Sequence, residues 1–567
     1  MKQRNLYLIL LLISFSGIPF LSVSQSLPVG TGVLEDALRR AQLLGEIDSS
    51  ISFTSRPLFP TSSMKLTNTF DPYNTLDEER WTKSDGTFHF AKNRGIVQLL
   101  PFTWQQQFNT HHPYSLNDGS MIPARGYQTM ISGGLFAKYG PLSIQLHPEY
   151  VYAENKNFQG FHKEQPDRVW AEYYLLNNVI DTPEKFGDSA YKKMFWGQSS
   201  VRLTYGPVSL GISNENLWWG PGVRNSLMMS NSAPGFKHIT LNTVKPIRTW
   251  IGSFEGQIIG GRLEDSGFTL PDTNRTYNGV KLYVPKRTDW RYINGIVLSY
   301  QPKWVPGLFL GVTRSFITYY KDMGHSITDF LPVITPLSKK ANYGENESPR
   351  PNDQRASFFL RWLWQKAHAE LYTEYMREDH AFDLRDFITQ AEYTHAFVFG
   401  IRKLIPLKIH KNQFIQVNLE ITQIEQKSQD PGRPSKYLYV HYAGISQGYT
   451  NRGQLLGPGI GPGSNMQSLS ISWVNRLKTI GIEFERLVQN NDFHNAVIKD
   501  PRGIWVDLGT SVFGDWNYKN LLFSARMEFI KSHNYQHYFY TNPDEPSEFW
   551  SPSVLNFQTQ IGVTYRF

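Results

Sequence analysis

The chain ends in the stretch "QIGVTYRF" (560–567), in which large apolar residues alternate with small or polar ones. The upstream stretch "LLFSARMEFI" (521–530) repeats this alternation and carries Arg526 and Glu528 on its polar face. Because successive side chains of a β-strand point to opposite faces, both stretches are predicted strands with one apolar face and one polar or charged face. Two such different faces meet two different solvents, which is typical of a strand that crosses a membrane in a barrel.

The same alternation recurs along the chain and predicts about eighteen strands, joined by connections that are alternately short and long. Outer membrane β-barrels have this asymmetry because their periplasmic turns are short and their extracellular loops are long. We therefore predict an all-β fold, a closed antiparallel outer-membrane β-barrel with both ends on the periplasmic side; the alternative is a soluble β-sandwich or propeller. The predicted strands span residues 96–109, 129–138, 142–154, 199–205, 208–217, 238–246, 252–264, 292–301, 308–319, 354–364, 368–378, 390–402, 413–426, 466–475, 480–490, 503–513, 519–532 and 556–567.

The residues before the barrel have a different character. In residues 1–24, Lys2 and Arg4 precede an apolar run and then small residues, which predicts a secretory signal peptide, with an N-terminal membrane anchor as the alternative. The stretch "VLEDALRRAQLLGEID" (33–48) has apolar residues at helical spacing and predicts an amphipathic helix. We assign residues 25–92 to a small periplasmic helical element that closes the lower mouth of the barrel, and residues 93–567 to the transmembrane barrel.

Composition limits the function classes. The 567 residues include no cysteine and carry a formal net charge of +8, with no basic run of the kind that binds nucleic acid. The mild positive surplus suits an anionic saccharide or a lipid headgroup. The 15 histidines form no metal-binding motif, so we expect neither a metal site nor a cofactor.

Two stretches match catalytic patterns only superficially. "GISQG" (444–448) has the spacing of a nucleophile elbow around Ser446, but no helical period follows it. "GPGIGPG" (457–463) lacks backbone donors at its prolines and predicts a stiff loop instead of a phosphate site. We expect no enzymatic activity; an outer-membrane serine hydrolase that uses Ser446 is the least favoured alternative.

The stretch "NLWWGPGVRNSLMMSNSAP" (216–234) offers two interpretations. Trp218 and Trp219 belong to the aromatic girdle at the membrane interface, or they stack on sugar rings while nearby polar side chains bind hydroxyl and carboxylate groups. Adjacent residues in an extended chain point to opposite sides, so one ring can serve each purpose. The polar candidates in this stretch are Arg224, Asn225 and Asn231.

Three blocks resemble the Wzi capsule-assembly family: "WWGPG…NSLMMSNSAP", "YVHYAG…GYTNRGQLLGPGIGPGS", and, as in Bacteroidetes-type members, "LEDALRRAQLLGEI" followed by "RPL". The resemblance implies an 18-stranded outer-membrane barrel with a periplasmic helical bundle and a lectin-like role. Asn451 stands where the best-known members have a histidine. The resemblance adds Ser226, Tyr449, Thr450 and Arg452 to the candidate glycan-binding residues, and Gly220, Pro221, Gly222, Gly453 and Gly457 as loop-shaping residues.

The combined prediction is capsule assembly by a non-enzymatic, monomeric outer-membrane barrel in contact with outer-membrane lipid. It binds capsular or exopolysaccharide through segments 218–237 and 437–465. Counting 437–465 as a strand would make the strand number odd, so we place it as a long excursion on the outer side or folded into the lumen, like 218–237. The main alternative is a saccharide channel or porin, because an 18-stranded barrel is wide enough for an aqueous lumen.

Overall fold

The computed structural model describes residues 25–76, 80–81, 86–334, 352–378, 384–389, 391–408, 412–426, 436–440, 444–542, 544–545 and 547–567. The segment predicted as a signal peptide, 1–24, lies outside these residues. Most of the described chain forms one closed antiparallel barrel of 18 strands, as predicted. The last strand pairs with both the strand before it and the first strand, and this pairing closes the barrel.

The strands match the prediction in number and order. Their bounds are β1 Gly95–Asn109, β2 Gly126–Tyr139, β3 Leu142–Leu146 continued by Glu149–Ala153, β4 Tyr191–Phe195 continued by Ser200–Tyr205, β5 Val208–Ser213, β6 His238–Thr243, β7 Gly252–Leu263, β8 Arg291–Pro302, β9 Leu308–Tyr319, β10 Asp353–Trp364, β11 Ala369–Glu378, β12 His395–Pro406, β13 Phe414–Gln423, β14 Asn465–Asn475, β15 Lys478–Val488, β16 Val506–Tyr518, β17 Leu521–His533 and β18 Ser553–Tyr565.

Helices are few and short. They are α1 Gly32–Leu43, α2 Pro60–Ser63, α3 Asp167–Asn177, α4 Ile327–Phe330, α5 Leu384–Thr389 and α6 Asn491–Phe493, with a π-helix at His494–Ile498 and 3₁₀ turns at Tyr320–Asp322, Pro332–Ile334, Gln365–Ala367, Pro501–Gly503 and Tyr535–His537. Minor strands are Ser55–Arg56, Thr87–Phe90, Trp218–Trp219, Ile247–Arg248, Thr276–Tyr277, Val280–Lys281, Thr450–Asn451, Gln454–Leu455, Tyr540–Thr541 and Phe549–Trp550. Within the described ranges, no helix is both long enough and apolar enough to cross a bilayer.

The barrel wall is apolar outside and polar inside. On β17 the side chain of Met527 is 50% exposed, whereas its neighbour Glu528 is 2% exposed. The same contrast holds on β6 between the exposed Ile239 and the buried Thr240. An apolar outer face with a polar inner face is the arrangement of an outer membrane barrel. Exposed aromatic residues form the expected girdle at the periplasmic ends of the strands: Tyr139, Tyr205, Trp364 and Tyr518.

The N-terminal residues lie inside the barrel. Helix α1 is the helix predicted from the pattern of residues 33–48, and its apolar face packs with Ile51 and Phe53 into a buried cluster. Arg39 of α1 pairs with Glu370 of β11 at 2.6 Å, and Gln42 accepts a hydrogen bond from Arg361 of β10 at 2.8 Å. The periplasmic part of the lumen is therefore filled by this element.

One strand segment was missed and two strands were misplaced; one of the two is β16, which was predicted at 503–513 but lies at Val506–Tyr518. The outer part of β4, "YKKMF", was not predicted because two adjacent lysines interrupt the alternation. Strand β12 was predicted at 390–402 but lies at His395–Pro406, because the preceding "AEY" has the same alternation as the strand. None of these errors changes the strand count.

Candidate functional site

The segment that joins β5 to β6, residues 214–237, leaves the outer end of β5 and folds back into the lumen; we name it the first luminal loop. Its two tryptophans pair as a short strand with the N-terminal element, Ser55 with Trp219 and Arg56 with Trp218. The ring of Trp219 is fully buried, and its Nε1 donates to Gln257 Oε1 at 2.9 Å. The ring fits against β8 because Gly295 has no side chain; a Cβ there would lie 2.7 Å from the indole.

Trp218 points the other way, toward the N-terminal element. It is 4% exposed, and the guanidinium of Arg56 lies 5.1 Å from the centre of its ring. Arg56 also pairs with Glu35 of α1 at 2.7 Å. The girdle interpretation of the two tryptophans is therefore wrong, because both rings lie within the lumen. Their contact with a glycan stays a prediction, and it requires this loop to move because neither ring presents an exposed face.

The polar candidates of the first luminal loop hydrogen-bond within the protein. Asn225 is buried, and its N–H donates to Glu420 of β13 at 2.7 Å. The hydroxyl of Ser226 donates to the carbonyl of Trp219, and the Asn231 amide donates to the carbonyl of Asn117 at 2.8 Å. These groups hold the loop in shape, and their glycan role stays a prediction.

Arg224 alone among these candidates keeps partial exposure, with 24% of its side chain accessible. It forms ion pairs with Glu483 and Glu485 of β15. Arg526 of β17 pairs with the same Glu483 at 2.5 Å. Arg224 thus ties the loop to the polar inner wall, where carboxylates outnumber arginines.

The second luminal loop comprises the described residues 436–440 and 444–464. Tyr449 is fully buried, with the Arg355 guanidinium 4.3 Å from the centre of its ring. Thr450 is also buried, and its hydroxyl donates to the carbonyl of Gln447 at 2.9 Å. Arg452 is half-buried and forms an ion pair with Glu264. Glycan contact by these residues stays a prediction as well.

The structure brings the two loops together, although the residues in contact are more than two hundred positions apart in the chain. Ser230 N–H donates to the carbonyl of Leu456 at 2.8 Å, and the Tyr439 hydroxyl donates to the carbonyl of Leu227 at 3.0 Å. Asn451, at the position where the resemblance suggested a histidine, donates to the carbonyl of Pro234 at 3.0 Å. The two loops form one buried cluster that fills the outer part of the lumen.

The predicted loop-shaping residues lie inside this cluster. Gly220 has φ 124°, a conformation that L side chains rarely adopt. A Cβ on Gly222 would lie 1.8 Å from the carbonyl oxygen of Asn225. Either position therefore requires glycine. Pro221, Gly453 and Gly457 are buried in the same cluster.

A cleft of about 260 Å³ opens at the outer end of the barrel, beside the β1, β15, β16 and β17 strands. Five outer connections converge on it, those after β1, β3, β13, β15 and β17. Its lining residues are His112, Pro113, Tyr114, Ser115, Leu116, Pro123, Phe158, Glu184, Gly459, Ile460, Leu487, Gln489, Trp505, Asp507, Tyr535 and Gln536. We name it the outer cleft.

The half-buried Trp505 is held in one orientation in the outer cleft. Its Nε1 donates to Asp507 Oδ1 at 2.8 Å, and Asp507 Oδ2 accepts from Gln489 at 2.9 Å. The rings of Tyr535 and His537 meet the indole nearly at right angles, at 5.4 and 5.5 Å between centres. The neighbouring rings and the hydrogen bond from Nε1 together fix the indole of Trp505, which preorganises its face for stacking.

Polar groups accompany the tryptophan. His112 is 3% exposed, and its Nε2 has no hydrogen-bonding partner among the described residues. Burial lowers the pKa of His112 to about 3, so the imidazole is neutral at physiological pH. Glu184 accepts from the Phe161 N–H at 2.6 Å and from the Tyr173 hydroxyl at 3.0 Å, and burial raises its pKa. In the described part of the cleft lining there is no lysine or arginine.

The comparisons with known proteins identify the family. The family described as capsule assembly protein Wzi matches residues 115–538, well over half of the chain. The chain belongs to the Wzi family. No curated protein sequence matches it.

The chain is similar to solved structures at low sequence identity. Escherichia coli Wzi, described as an outer membrane protein involved in group 1 capsule assembly and as a carbohydrate-binding β-barrel, is 13% identical; the match covers 96% of this chain and 100% of that chain, with a TM-score of 0.58. Acinetobacter baumannii OccAB3 is 10% identical over 83% of this chain and 99% of its own, with a TM-score of 0.38. Pseudomonas aeruginosa OccK8 (OprE) is 9% identical over 84% and 99%, with a TM-score of 0.37.

In this Wzi-family chain Ser446 is not built as a nucleophile. Its hydroxyl lies 3.0 Å from the Tyr319 hydroxyl and accepts the Arg287 N–H at 3.3 Å. Neither group is a base, and the surrounding "GISQG" forms turns instead of the strand-to-helix corner that a nucleophile elbow needs.

The outer cleft was missed by the sequence analysis. None of the 15 histidines was a candidate site residue, and Trp505 lies within the predicted strand 503–513. The five connections that build the cleft are far apart in the chain, and no local spacing links them. Only the closure of the barrel brings them together.

We expect Trp219→Ala to act on stability. A buried indole leaves a cavity when it is removed, which costs about 3–5 kcal/mol. The midpoint of thermal unfolding and the amount of protein in the outer membrane should both fall. The matched control is Trp250→Ala, because Trp250 is 82% exposed in a periplasmic turn and its removal should cost less than about 0.5 kcal/mol. Unchanged stability with lost glycan binding would instead indicate direct contact between Trp219 and a glycan.

Proposed function

We propose that this Wzi-family protein holds capsular polysaccharide at the cell surface by non-covalent binding in the outer cleft. The observation that carries the proposal is the oriented indole of Trp505 beside the unpartnered Nε2 of buried His112. The description of the E. coli relative as a carbohydrate-binding barrel agrees with it. The glycan site is thus proposed at the outer cleft, and the luminal loops lie beneath it.

The chemistry of the cleft suits a sugar ring. The C–H face of a pyranose stacks on an aromatic face such as that of Trp505. Hydroxyl groups then bond to the neutral imidazole of His112, and this contact requires the cleft lining to move because Nε2 of His112 is buried. A cleft of about 260 Å³ is smaller than typical drug-sized sites and takes roughly one or two sugar rings. One such contact is weak, so many copies on one polymer supply the retention.

The filled lumen favours this function over a saccharide channel. The N-terminal element occupies the periplasmic part of the lumen and the two luminal loops occupy the outer part, joined through the pairing of Arg56 with Trp218. A conducting channel of this size would need a continuous aqueous path. We propose a barrel that does not conduct in its resting state.

The cleft also favours binding over catalysis. Asp507 holds Trp505 and Gln489 in place, and Glu184 holds the Phe161 N–H and the Tyr173 hydroxyl. Both carboxylates therefore act as fixed acceptors. We propose that the protein has no enzymatic activity toward the glycan.

The charge of the outer cleft should give selectivity. Two carboxylates without a lining cation repel an anionic sugar, so a neutral oligosaccharide should bind about tenfold more tightly than its glucuronate-containing counterpart at pH 7.5, which is ~1.4 kcal/mol. Calorimetric titration of the purified barrel with the two oligosaccharides measures this difference. Equal binding, or tighter binding of the glucuronate compound, would contradict the proposed site.

The preference for the neutral over the glucuronate-containing oligosaccharide should decrease as the pH falls. The pKa of Glu184 is raised above its ordinary 4.5 by burial, so this carboxyl takes up its proton at a higher pH than an exposed one. Its negative charge is present above that raised pKa and is lost as the pH falls through it. Glu184→Gln is the control, and it should flatten the pH dependence while it preserves binding of the neutral oligosaccharide.

A further inference from the structure

Three of the first four strands, β1, β3 and β4, are irregular at one height of the barrel wall. Strand β1 has a bulge between Leu100 and Thr103, where its register with β2 shifts. Strand β3 is interrupted after Leu146, and β4 is interrupted after Phe195. The pairing of Leu100 with Gly134 of β2, and of Leu135 with Leu146, places these irregularities side by side.

The sequence explains why the strands yield here. Pro101 and Pro148 have no N–H to donate to a neighbouring strand, so a regular ladder cannot continue through them. Gly134 lets the chains approach closely, since a Cβ there would lie 1.8 Å from the carbonyl oxygen of Leu146. The ladder of backbone hydrogen bonds is therefore interrupted along a line that crosses β1 to β4.

On the membrane-facing side of the wall, a groove of about 430 Å³ follows this line. Its lining is apolar except for Ser132, and it includes the exposed side chains of Phe102, Tyr150 and Met194. These side chains lie on the outward face of the wall, which meets the hydrocarbon of the membrane. Phe567, at the C-terminus, lines the same groove. We name it the wall groove.

The wall groove lies in the periplasmic half of the membrane. Gly95 and Tyr139 pair at the periplasmic rim, and Leu99 of the groove is four residues further along β1. At ~3.3 Å per residue this is about 13 Å, within one leaflet of a hydrocarbon core that is ~30 Å thick. Lys92 and Arg94 are exposed in the turn immediately before β1, at the level of the headgroups.

We propose that the wall groove binds one acyl chain of an anionic phospholipid from the periplasmic leaflet. The groove faces the hydrocarbon of the membrane, so an acyl chain is the group that reaches it. An acyl chain can fill this concave apolar surface, which the side chains of the wall leave open. The phosphate then lies beside Lys92 and Arg94, which attract an anionic headgroup. The groove and the acyl chain are both apolar and both lie in hydrocarbon, so the hydrophobic effect does not favour their contact. The fit of the chain to the groove and the charge of the headgroup therefore select this lipid.

The test removes the groove without disturbing the outer cleft. In Gly133→Leu the new Cβ lies 3.2 Å from the ring of Phe102, a side chain that can move, and the rest of the leucine occupies the groove. Met194→Trp fills the groove from an exposed position, and this variant is used in place of Gly133→Leu if Gly133→Leu does not fold. The control is Ile480→Phe, which adds similar bulk at a 53% exposed, outward-facing position on β15.

Native mass spectrometry after delipidation and reloading with phosphatidylglycerol or phosphatidylethanolamine gives the readout. The unaltered protein and Ile480→Phe should retain one phosphatidylglycerol, and the groove-filling variant at least tenfold less. Charge reversal of Lys92 and Arg94 to glutamate should remove the preference for phosphatidylglycerol over phosphatidylethanolamine. Equal retention in the groove-filling variant overturns the acyl-chain site, and an unchanged preference after charge reversal overturns the role of the two cations.

Discussion

Trp505→Ala should strip most of the capsule from the surface of cells that depend on this protein for its retention. Trp505 lines the cleft, and the hydrogen bond from its Nε1 to Asp507 holds its ring in one orientation. Loss of a stacking surface and its buried area weakens a single sugar contact about tenfold, or ~1.4 kcal/mol. The polymer is held by many such contacts, and the substitution weakens every one of them. The overall binding of the polymer therefore falls far more than the binding of a single sugar.

The measurement is cell-associated against released capsule, in a deletion strain that carries each variant at matched outer-membrane levels. Trp304→Ala is the matched control, because Trp304 is 69% exposed in the periplasmic turn between β8 and β9 and cannot meet an extracellular glycan. Trp505→Phe should retain part of the capsule, because it keeps an aromatic face but loses the hydrogen bond to Asp507. Full retention in Trp505→Ala, with the barrel folded, would rule out the outer cleft as the glycan site.

The barrel could be predicted because its strands carry their own period. In "QIGVTYRF" the exposed Ile561 and the inward-facing Gly562 and Thr564 of β18 show the alternation directly. Each strand repeats this local signal, so the count survives errors of several residues at the ends. Strand parity excluded 437–465 as a membrane strand and left it either on the outer side or folded into the lumen; the structure shows that its described part is buried in the lumen.

The position of the tryptophans could not be predicted, because a filled barrel has two apolar environments. Trp219 in the lumen and Trp364 in the girdle each end an alternating segment, and sequence alone does not separate the two cases. Burial is decided by Gly295 and by the pairing of Arg56 with Trp218, both distant in the chain. The same reasoning applies to His112 and Trp505, which meet only after closure of the barrel.

Glu370→Ala should loosen the N-terminal element and open the lumen to ions. Glu370 is fully buried and accepts Arg39 at 2.6 Å and Arg361 at 2.6 Å, with Arg402 at 3.7 Å. Its removal leaves buried guanidinium groups without their shared carboxylate. Breaking a buried pair in this way costs about 3–5 kcal/mol.

That cost should fall on the N-terminal element and not on the barrel. Strands β10, β11 and β12 remain joined by their ladders of backbone hydrogen bonds, whereas Arg39 belongs to the element that lies in the lumen. A penalty of this size is a large fraction of the stability of a segment that docks on a preformed wall. The variant barrel should therefore stay closed while the element detaches part of the time.

Two measurements follow from this difference. In planar bilayers the unaltered protein should be silent and Glu370→Ala should show discrete conductance steps. Trypsin should cut the variant after Arg39 or Arg40, which are buried in the unaltered protein. Glu46→Ala is the control, since Glu46 is an exposed carboxylate of the same element, and it should stay silent and uncut. A Glu370→Ala barrel that neither conducts nor becomes cleavable would mean that the luminal loops alone close the pore, and that the arginine cluster around Glu370 contributes little to the seal.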